Sequence, residues 1–490
     1  MQGNRGRTLT ALGMDAWLWL AVLQREFLLF AGVFFLVGAL DDFAVDLCWL
    51  WLRLRGRAST PKFDRDILQK QALHGPVAVF VPAWDEAQVL AITIGHMLHA
   101  WPQESLRLYI GVYDNDPATH DAAMKGAGDD PRVRVVTLDV PGPSTKADCL
   151  NRLFAALRDD ERRTGRTFSS VLFHDAEDMV DPAGLGLLDR AVGGGAAFAQ
   201  LPVEPMPQCG RDWLGSHYCE EFAEAHGKAM VVRGALGAAL PAAGVGCAVS
   251  RAMLDQLCER RGDNLPFEPY SLTEDYELGL AVSRLGGECR FIRGRGLDGT
   301  LIATRAYFPS RLATIVRQKT RWIHGIALQG WDRTGWTGGP VEAWMRLRDR
   351  RGPLSALVLL AGYALLALTL LGWGANQMDV VEPTPLTPAM IVILFVNLAF
   401  FIWRAVLRFA FTAKNYGWAE GGKAVLRIPF TNIISIMAGW RAVKAYALTL
   451  SGQMPYWDKT AHDRHPAQPP APLPDAVSER SIPSAQTVRA

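Results

Sequence analysis

The sequence predicts an α/β fold with a mostly parallel sheet, flanked by transmembrane and interfacial helices. Three observations carry that expectation. Short β-branched runs alternate with helically spaced apolar segments through residues 76–203, the pattern of a sheet covered on both faces. Acidic clusters follow several of those runs directly. Long uncharged apolar stretches crowd both ends of the 490 residues, of which 49% are hydrophobic and 20% charged, less charge than a soluble domain usually carries.

Taken in order, Phe27 to Leu40 is unbroken and apolar, and Phe43 to Leu52 continues it with only Asp46 interrupting. Together they are long enough to cross a bilayer, provided that Asp41, Asp42 and Asp46 sit near an interface or face another helix. Ala16 to Leu23 either lies in the interface or extends a tilted helix. A cleaved signal peptide fits badly, because the apolar stretch starts late and no small-residue cleavage site follows it. Strands are expected at 76–82, 106–113, 132–138 and 170–174, with a fifth at 196–203; helices are expected at 86–99, 117–126, 146–158 and 181–192. Leu354 to Trp373 and Leu386 to Trp403 are uncharged and span-length. Ile428 to Leu450 carries Arg441 and Lys444 three apart, which suits an interfacial amphipathic helix or a further span equally. The domain expectation is therefore 1–55 as an N-terminal interfacial and transmembrane region and 56–345 as a cytoplasmic domain. A membrane hairpin with interfacial helices follows at 346–450, then a disordered Pro-rich tail at 451–490.

Charge places and excludes. Lys plus Arg (51) against Asp plus Glu (49) leaves +2, which excludes a strongly basic nucleic-acid binder, so no nucleic-acid partner is expected. Seven Cys without a C-x-x-C pair give neither a disulfide framework nor a thiolate zinc site. Basic residues flank the apolar runs at Arg53, Arg55, Arg57 and Lys62, at Arg346, Arg348, Arg350 and Arg351, and at Arg404, Arg408 and Lys414. Gly374 to Pro385 carries none. The positive-inside rule then puts 53–353 in the cytoplasm and that loop outside, as in a multi-pass membrane protein.

Ligands of parallel sheets bind beyond the carboxyl ends of strands. Asp85 and Glu86, Asp114 and Asp116, and Asp175 to Asp178 all fall at such ends. In FHDAED, Asp175 and Glu177 are placed to reach one cation from the same side, and hard carboxylate oxygens suit Mg²⁺ or Mn²⁺ holding a diphosphate. Carboxylates alone would repel that ligand, so a metal or nearby basic residues are required. Alternatively the segment is simply an acidic turn. In SLTEDYELGL, Ser271 or Thr273 is placed to cap a helix whose first turn holds Glu274 and Asp275. The functional reading makes Asp275 a general base toward an acceptor hydroxyl. Gln318 and Trp322 lie four apart on one helical face with Arg321 adjacent, giving a guanidinium for phosphate oxygens and an indole for a sugar face. A helix docking at the membrane surface would look the same.

The ordered set PAWDEA (82–87), YDNDPAT (113–119), STKADCLN (144–151), HDAED (174–178), TED (273–275) and QKTRW (318–322) resembles the membrane-integrated family 2 glycosyltransferases, the group of cellulose, chitin and hyaluronan synthases. The resemblance covers roughly 70–340 and the flanking spans. It implies a GT-A-like nucleotide-diphospho-sugar transferase domain. Asp85, Glu86 and Asp114 would contact the nucleoside, and Lys146 would stand near the nucleotide site. Asp175 and Glu177 would take the D-x-D positions that hold Mg²⁺ or Mn²⁺ and diphosphate. Asp275 would be the base, with Glu274 beside it, while Gln318, Arg321 and Trp322 would close over diphosphate and acceptor. Two motifs depart from the family: Asp175-Ala176-Glu177 lengthens one acidic arm, and Asp114-Asn115-Asp116 replaces the usual D-D-G-S. The implied activity is inverting transfer from a nucleotide-diphospho-sugar, a UDP-N-acetylhexosamine, to a glycan or lipid-linked acceptor, building a surface or secreted polysaccharide. The alternatives are transfer of one sugar to a polyprenyl lipid, or a non-catalytic scaffold bracing an outer-membrane secretion partner in a glycan secretion or phage adsorption system.

Overall fold

The computed structural model describes residues 3–378, 385–452 and 465–468. A seven-stranded sheet forms its centre. In chain order its strands are β1 (Val77–Pro82), β2 (Leu106–Tyr113), β3 (Val133–Leu138), β4 (Ser170–Phe173), β5 (Phe198–Gln200), β6 (Cys247–Ser250) and β7 (Cys289–Phe291). Their spatial order is β3-β2-β1-β4-β6-β5-β7, with β6 antiparallel to both neighbours and every other pairing parallel. The expected strands at 76–82, 106–113, 132–138 and 170–174 are β1 to β4. The expected fifth divides into β5 and the short Val203–Pro205, which pairs in parallel with Thr304–Ala306.

Burial explains why β1 reads as an unbroken apolar run. Val77, Val79 and Val81 join one core with Leu90, Ile94 and Met97 of the Leu90–Ala100 helix. Ala78 and Phe80 join the opposite core with Leu150, Leu153 and Leu157 of the Lys146–Thr164 helix. A strand covered on both faces has no polar face to alternate with. The chain leaves β1 to build β2 and β3 on one side, then returns to place β4 on the other. That reversal opens a crevice at the carboxyl ends of β1 and β4.

Four helices are long and apolar enough to cross a membrane: Trp17–Leu54 within the Gly3–Leu54 helix, Gly352–Gln377, Pro388–Tyr416 and Ile428–Leu450. Ala16 to Leu23 therefore extends the first helix. The acids of that helix meet protein, as their cost in lipid requires. Asp41 and Asp42 pair with Arg348 and Arg351. Asp46 pairs with Lys228 and accepts from Trp403 Nε1 at 2.8 Å. Ile428–Leu450 buries Ile434 and Ala438 against Ile315 and Val316 of the Leu312–Trp322 helix, leaving Arg441 and Lys444 exposed. Most of the Pro-rich tail and the middle of the 374–385 loop lie outside the described residues.

Candidate functional site

The crevice is built from five separated segments. Thr145 caps the Lys146–Thr164 helix, its Oγ1 accepting from Asp148 N at 3.1 Å. Lys146 thus opens that helix and aims inward, Nζ donating to Asp175 Oδ1 at 2.5 Å and Gly244 O at 3.3 Å. Asp175 and Glu177 stand on the turn leaving β4. Buried Asp178 fixes that turn: its Oδ2 accepts from Asp175 N at 3.0 Å and lies 2.9 Å from His174 Nδ1. Glu274 and Asp275 begin the Glu274–Arg284 helix, and Asp275 Oδ1 accepts from Tyr276 N at 2.7 Å.

That helix start corrects one expectation. Neither Ser271 nor Thr273 caps it. Thr273 occupies the capping position without a side-chain cap, and Ser271 Oγ instead accepts from Thr273 N at 3.2 Å and donates to Glu277 at 2.8 Å. The acids of the first turn are thus free of a cap's competition. Gly244, at φ +78, lets the chain pass: a Cβ there would stand 2.5 Å from Asp275 Oδ2.

Gln318, Arg321 and Trp322 come from the Leu312–Trp322 helix. Tyr218 Oη donates to Gln318 Oε1 at 2.6 Å, and Trp322 packs edge-on against Tyr218 and Phe222. One cleft is lined by Glu86, Lys146, Asp175, Glu177, Glu274, Asp275, Gln318, Arg321 and Trp322. Two expected residues lie apart. Asp85 is exposed at φ +53, its backbone N donating to Asp116 Oδ2 at 2.6 Å. Asp114 lines a separate shallow hollow with Asn115 and residues 137–141. The motifs did not point to Phe222, Tyr307 or Phe308, which line the cleft, or to Tyr218, which packs against Phe308 behind them. Gly244-Val245-Gly246 was a readable signal of close chain approach; Tyr218 carried none.

Charge governs the cleft. Burial alone would lower the Lys146 pKa, but the charges of Asp175, Glu274 and Asp275 outweigh it and raise it. Burial first, then Asp275, pushes Glu274 up to about 7. Asp275 is raised by burial, against the pull of Lys146. The result is a fixed cation beside two acids, Glu274 and Asp275, that burial makes reluctant to lose their protons.

Among the described residues no group of three or more His, Cys, Asp or Glu side chains is arranged to hold a metal. Asp175 and Glu177 both line the open cleft, and Lys146 engages one oxygen of Asp175. Their oxygen donors fit a hard divalent cation whose remaining ligands come from a diphosphate and water. A cation held by these two residues alone would lack ligands.

A family profile described as "Glycosyltransferase like family 2" matches residues 74–325. The chain is 32% identical over 470 residues to Bacteriophage adsorption protein B of Escherichia coli (strain K12), covering 91% of this chain and 63% of that protein. Bacteriophage N4 adsorption protein B of Escherichia coli O157:H7 matches to the same extent. The chain thus spans 63% of the length of these curated relatives. Among solved structures, a mannosyltransferase from Pyrobaculum calidifontis in complex with GDP-Man and Mn²⁺ is similar at TM-score 0.46 and 14% identity, covering 84% of this chain and 99% of that one. Glucosyl-3-phosphoglycerate synthase from Mycobacterium tuberculosis, with Mn²⁺, UDP and phosphoglyceric acid, is similar at TM-score 0.36 and 20% identity over 57% and 86% of the two chains.

Proposed function

The chain belongs to the family 2 glycosyltransferases, and from that premise we propose that it is an inverting transferase. Its donor is a nucleotide-diphospho-sugar, which we assign as a UDP-N-acetylhexosamine on the resemblance of its motif set. Its acceptor is a hydroxyl of a growing bacterial surface or secreted glycan. The observation that carries the reading is the charge arrangement of the cleft: Lys146 Nζ donates to Asp175 Oδ1 at 2.5 Å, and Asp275 and Arg321, from two further segments, line the same cleft.

In this reading the acceptor oxygen attacks the anomeric carbon from the side opposite the diphosphate. Asp275 receives the hydroxyl proton, the bond from anomeric carbon to diphosphate oxygen breaks, and the electron pair leaves with the nucleoside diphosphate. Lys146 and Arg321 face the charge that develops there. A divalent cation, when bound, would neutralise further charge on the diphosphate, with Asp175 and Glu177 as its protein ligands. The indole of Trp322, set by Tyr218 and Phe222, closes the acceptor side. The proposed location is a bacterial inner membrane with the catalytic domain in the cytoplasm, where nucleotide sugars are available.

The test is nucleoside diphosphate release by the purified chain from a panel of UDP- and GDP-sugars with Mg²⁺ or Mn²⁺. Release from at least one donor is expected, falling roughly 10²–10³-fold or more in Asp275→Asn. No turnover of any donor, or a D275N variant that sustains glycan production in cells, would leave the chain a scaffold.

A further inference from the structure

A second charged site lies away from the cleft, where two membrane-length helices end on the same side. Arg53 stands at the end of the Gly3–Leu54 helix and Lys414 near the end of Pro388–Tyr416. The two helices touch through Trp49 and Phe411, ring centroids 5.2 Å apart. A loop of the cytoplasmic-domain segment adds two more cations. Arg295 Nη2 donates to Asn415 Oδ1 at 2.8 Å, and Arg293 Nη1 donates to Thr60 Oγ1 at 2.6 Å. Lys62 sits in backbone register with Arg295. Lys414 feels the charges of Arg53, Arg293 and Arg295 together.

Among the described residues none of these five cations has a carboxylate within ion-pairing distance. Several other basic residues on the same boundary are answered: Arg348 and Arg351 by Asp41 and Asp42, Arg404 by Glu224, Arg408 by Glu220. Arg293 also keeps a buried Nε that donates to nothing, and burial first and Arg295 second hold its pKa down to about 10. Like charges gathered around a half-buried guanidinium whose Nε has no partner are destabilising unless an anion joins them. A guanidinium fork matches phosphate oxygens, and exposed Trp51 and Leu54, on the last turn of the helix that carries Arg53, suit the level where a headgroup meets its acyl chains. We propose that this cluster seats the phosphate headgroup of an anionic membrane lipid.

The experiment uses the full chain in neutral detergent and follows unfolding temperature against added short-chain phosphatidylglycerol, the matching phosphatidylcholine, or inorganic phosphate. Phosphatidylglycerol should raise the unfolding temperature where phosphatidylcholine does not. Lys414→Gln and Arg293→Gln should each raise its half-saturating concentration about tenfold, while Lys125→Gln, at an exposed site elsewhere, should leave it unchanged. Without lipid, K414Q should melt no lower than wild type, because it removes a repelling charge; a lysine that merely braced the fold would melt lower when lost. Lys414 is exposed, so K414Q decides the matter even where R293Q does not fold. A phosphatidylglycerol shift that survives K414Q, or that phosphatidylcholine equals, would overturn the site. An equal shift from inorganic phosphate at the same concentration would overturn the lipid as its source.

Discussion

Glu274 is the residue whose protonation most directly links cleft chemistry to stability. Held at about 7 by burial and by Asp275, it binds its proton more tightly in the folded chain than in the unfolded one. Its contribution to stability is therefore complete below the unfolded value of ~4.3 and is lost as pH rises through 7, a change on the order of 3–4 kcal/mol. Glu274→Gln keeps the neutral shape at every pH. It should match wild type in thermal unfolding near pH 4 and melt above it near pH 8; parallel curves would mean that Glu274 titrates as an ordinary surface acid. In the proposed mechanism Glu177 would serve the ligand. Glu177→Ala should weaken UDP binding in Mn²⁺ buffer far more than in EDTA, read by calorimetry, and Glu177→Asp should do less damage. Equal metal dependence in wild type and E177A would move the cation elsewhere. Much of this site was legible in the sequence because acids at strand exits and the Q-x-x-R-W spacing are local patterns. The Lys146–Asp175 contact was not, since it joins a helix start to a strand end 29 residues away, and no local pattern records which strands become neighbours.

At the scale of elements, the His217–Glu224 helix ties the cleft to the membrane. One side of it holds Tyr218 and Phe222 against Gln318 and Trp322. Another side presents Glu220, fully buried, to Arg427 at 2.8 Å and Arg408 at 3.0 Å. Glu221 pairs with Lys319 and Glu224 with Arg404. Removing one member of a buried ion pair leaves its partner's charge uncompensated, a loss of about 3–5 kcal/mol. Glu220→Gln should therefore lower the unfolding temperature sharply, while Lys423→Gln, at a more exposed pair, should barely move it. Similar losses for the two would mean that the buried network contributes no more than a surface bridge. This helix was invisible in the sequence, as were β6 and β7 on the far side of the sheet, where only β5 was read, within the expected strand at 196–203. β6 is four residues and β7 three, too brief for a hydrophobic period, whereas β4, also four residues, was marked by the acidic turn that follows it. β1 to β3 were readable because six to eight consecutive residues, bounded by turn residues, carry the pattern.

The arrangement of the whole molecule rests on where its charges sit relative to its apolar helices. Asp41 and Asp42 would be costly in hydrocarbon, yet Arg348 and Arg351 answer them where the Gly352–Gln377 helix begins. Arg404 reaches Glu224 from the third helix. The Arg404–Glu224 contact, like that of Asp46 with Lys228, joins a membrane-length helix to the sheet-bearing domain, so this end of the bundle and the domain share one side of the bilayer. Met378, 71% exposed just beyond the Gly352–Gln377 helix, lies a full helix length from those pairs: its 26 residues reach ~39 Å at 1.5 Å per residue, more than the ~30 Å of hydrocarbon. Met378 should then face the opposite compartment. The proposed orientation makes that compartment the periplasm and keeps exposed Cys209 of the domain in the cytoplasm. A membrane-impermeant maleimide applied to cells with a permeable outer membrane should label Met378→Cys and leave the wild-type chain unlabelled until the inner membrane is broken. Labelling of wild-type Cys209 in intact cells would place the cleft outside, away from any supply of nucleotide sugar. The orientation and the proposed donor would then fall together, because the same basic residues that fix the topology determine which pool of substrate the cleft can meet.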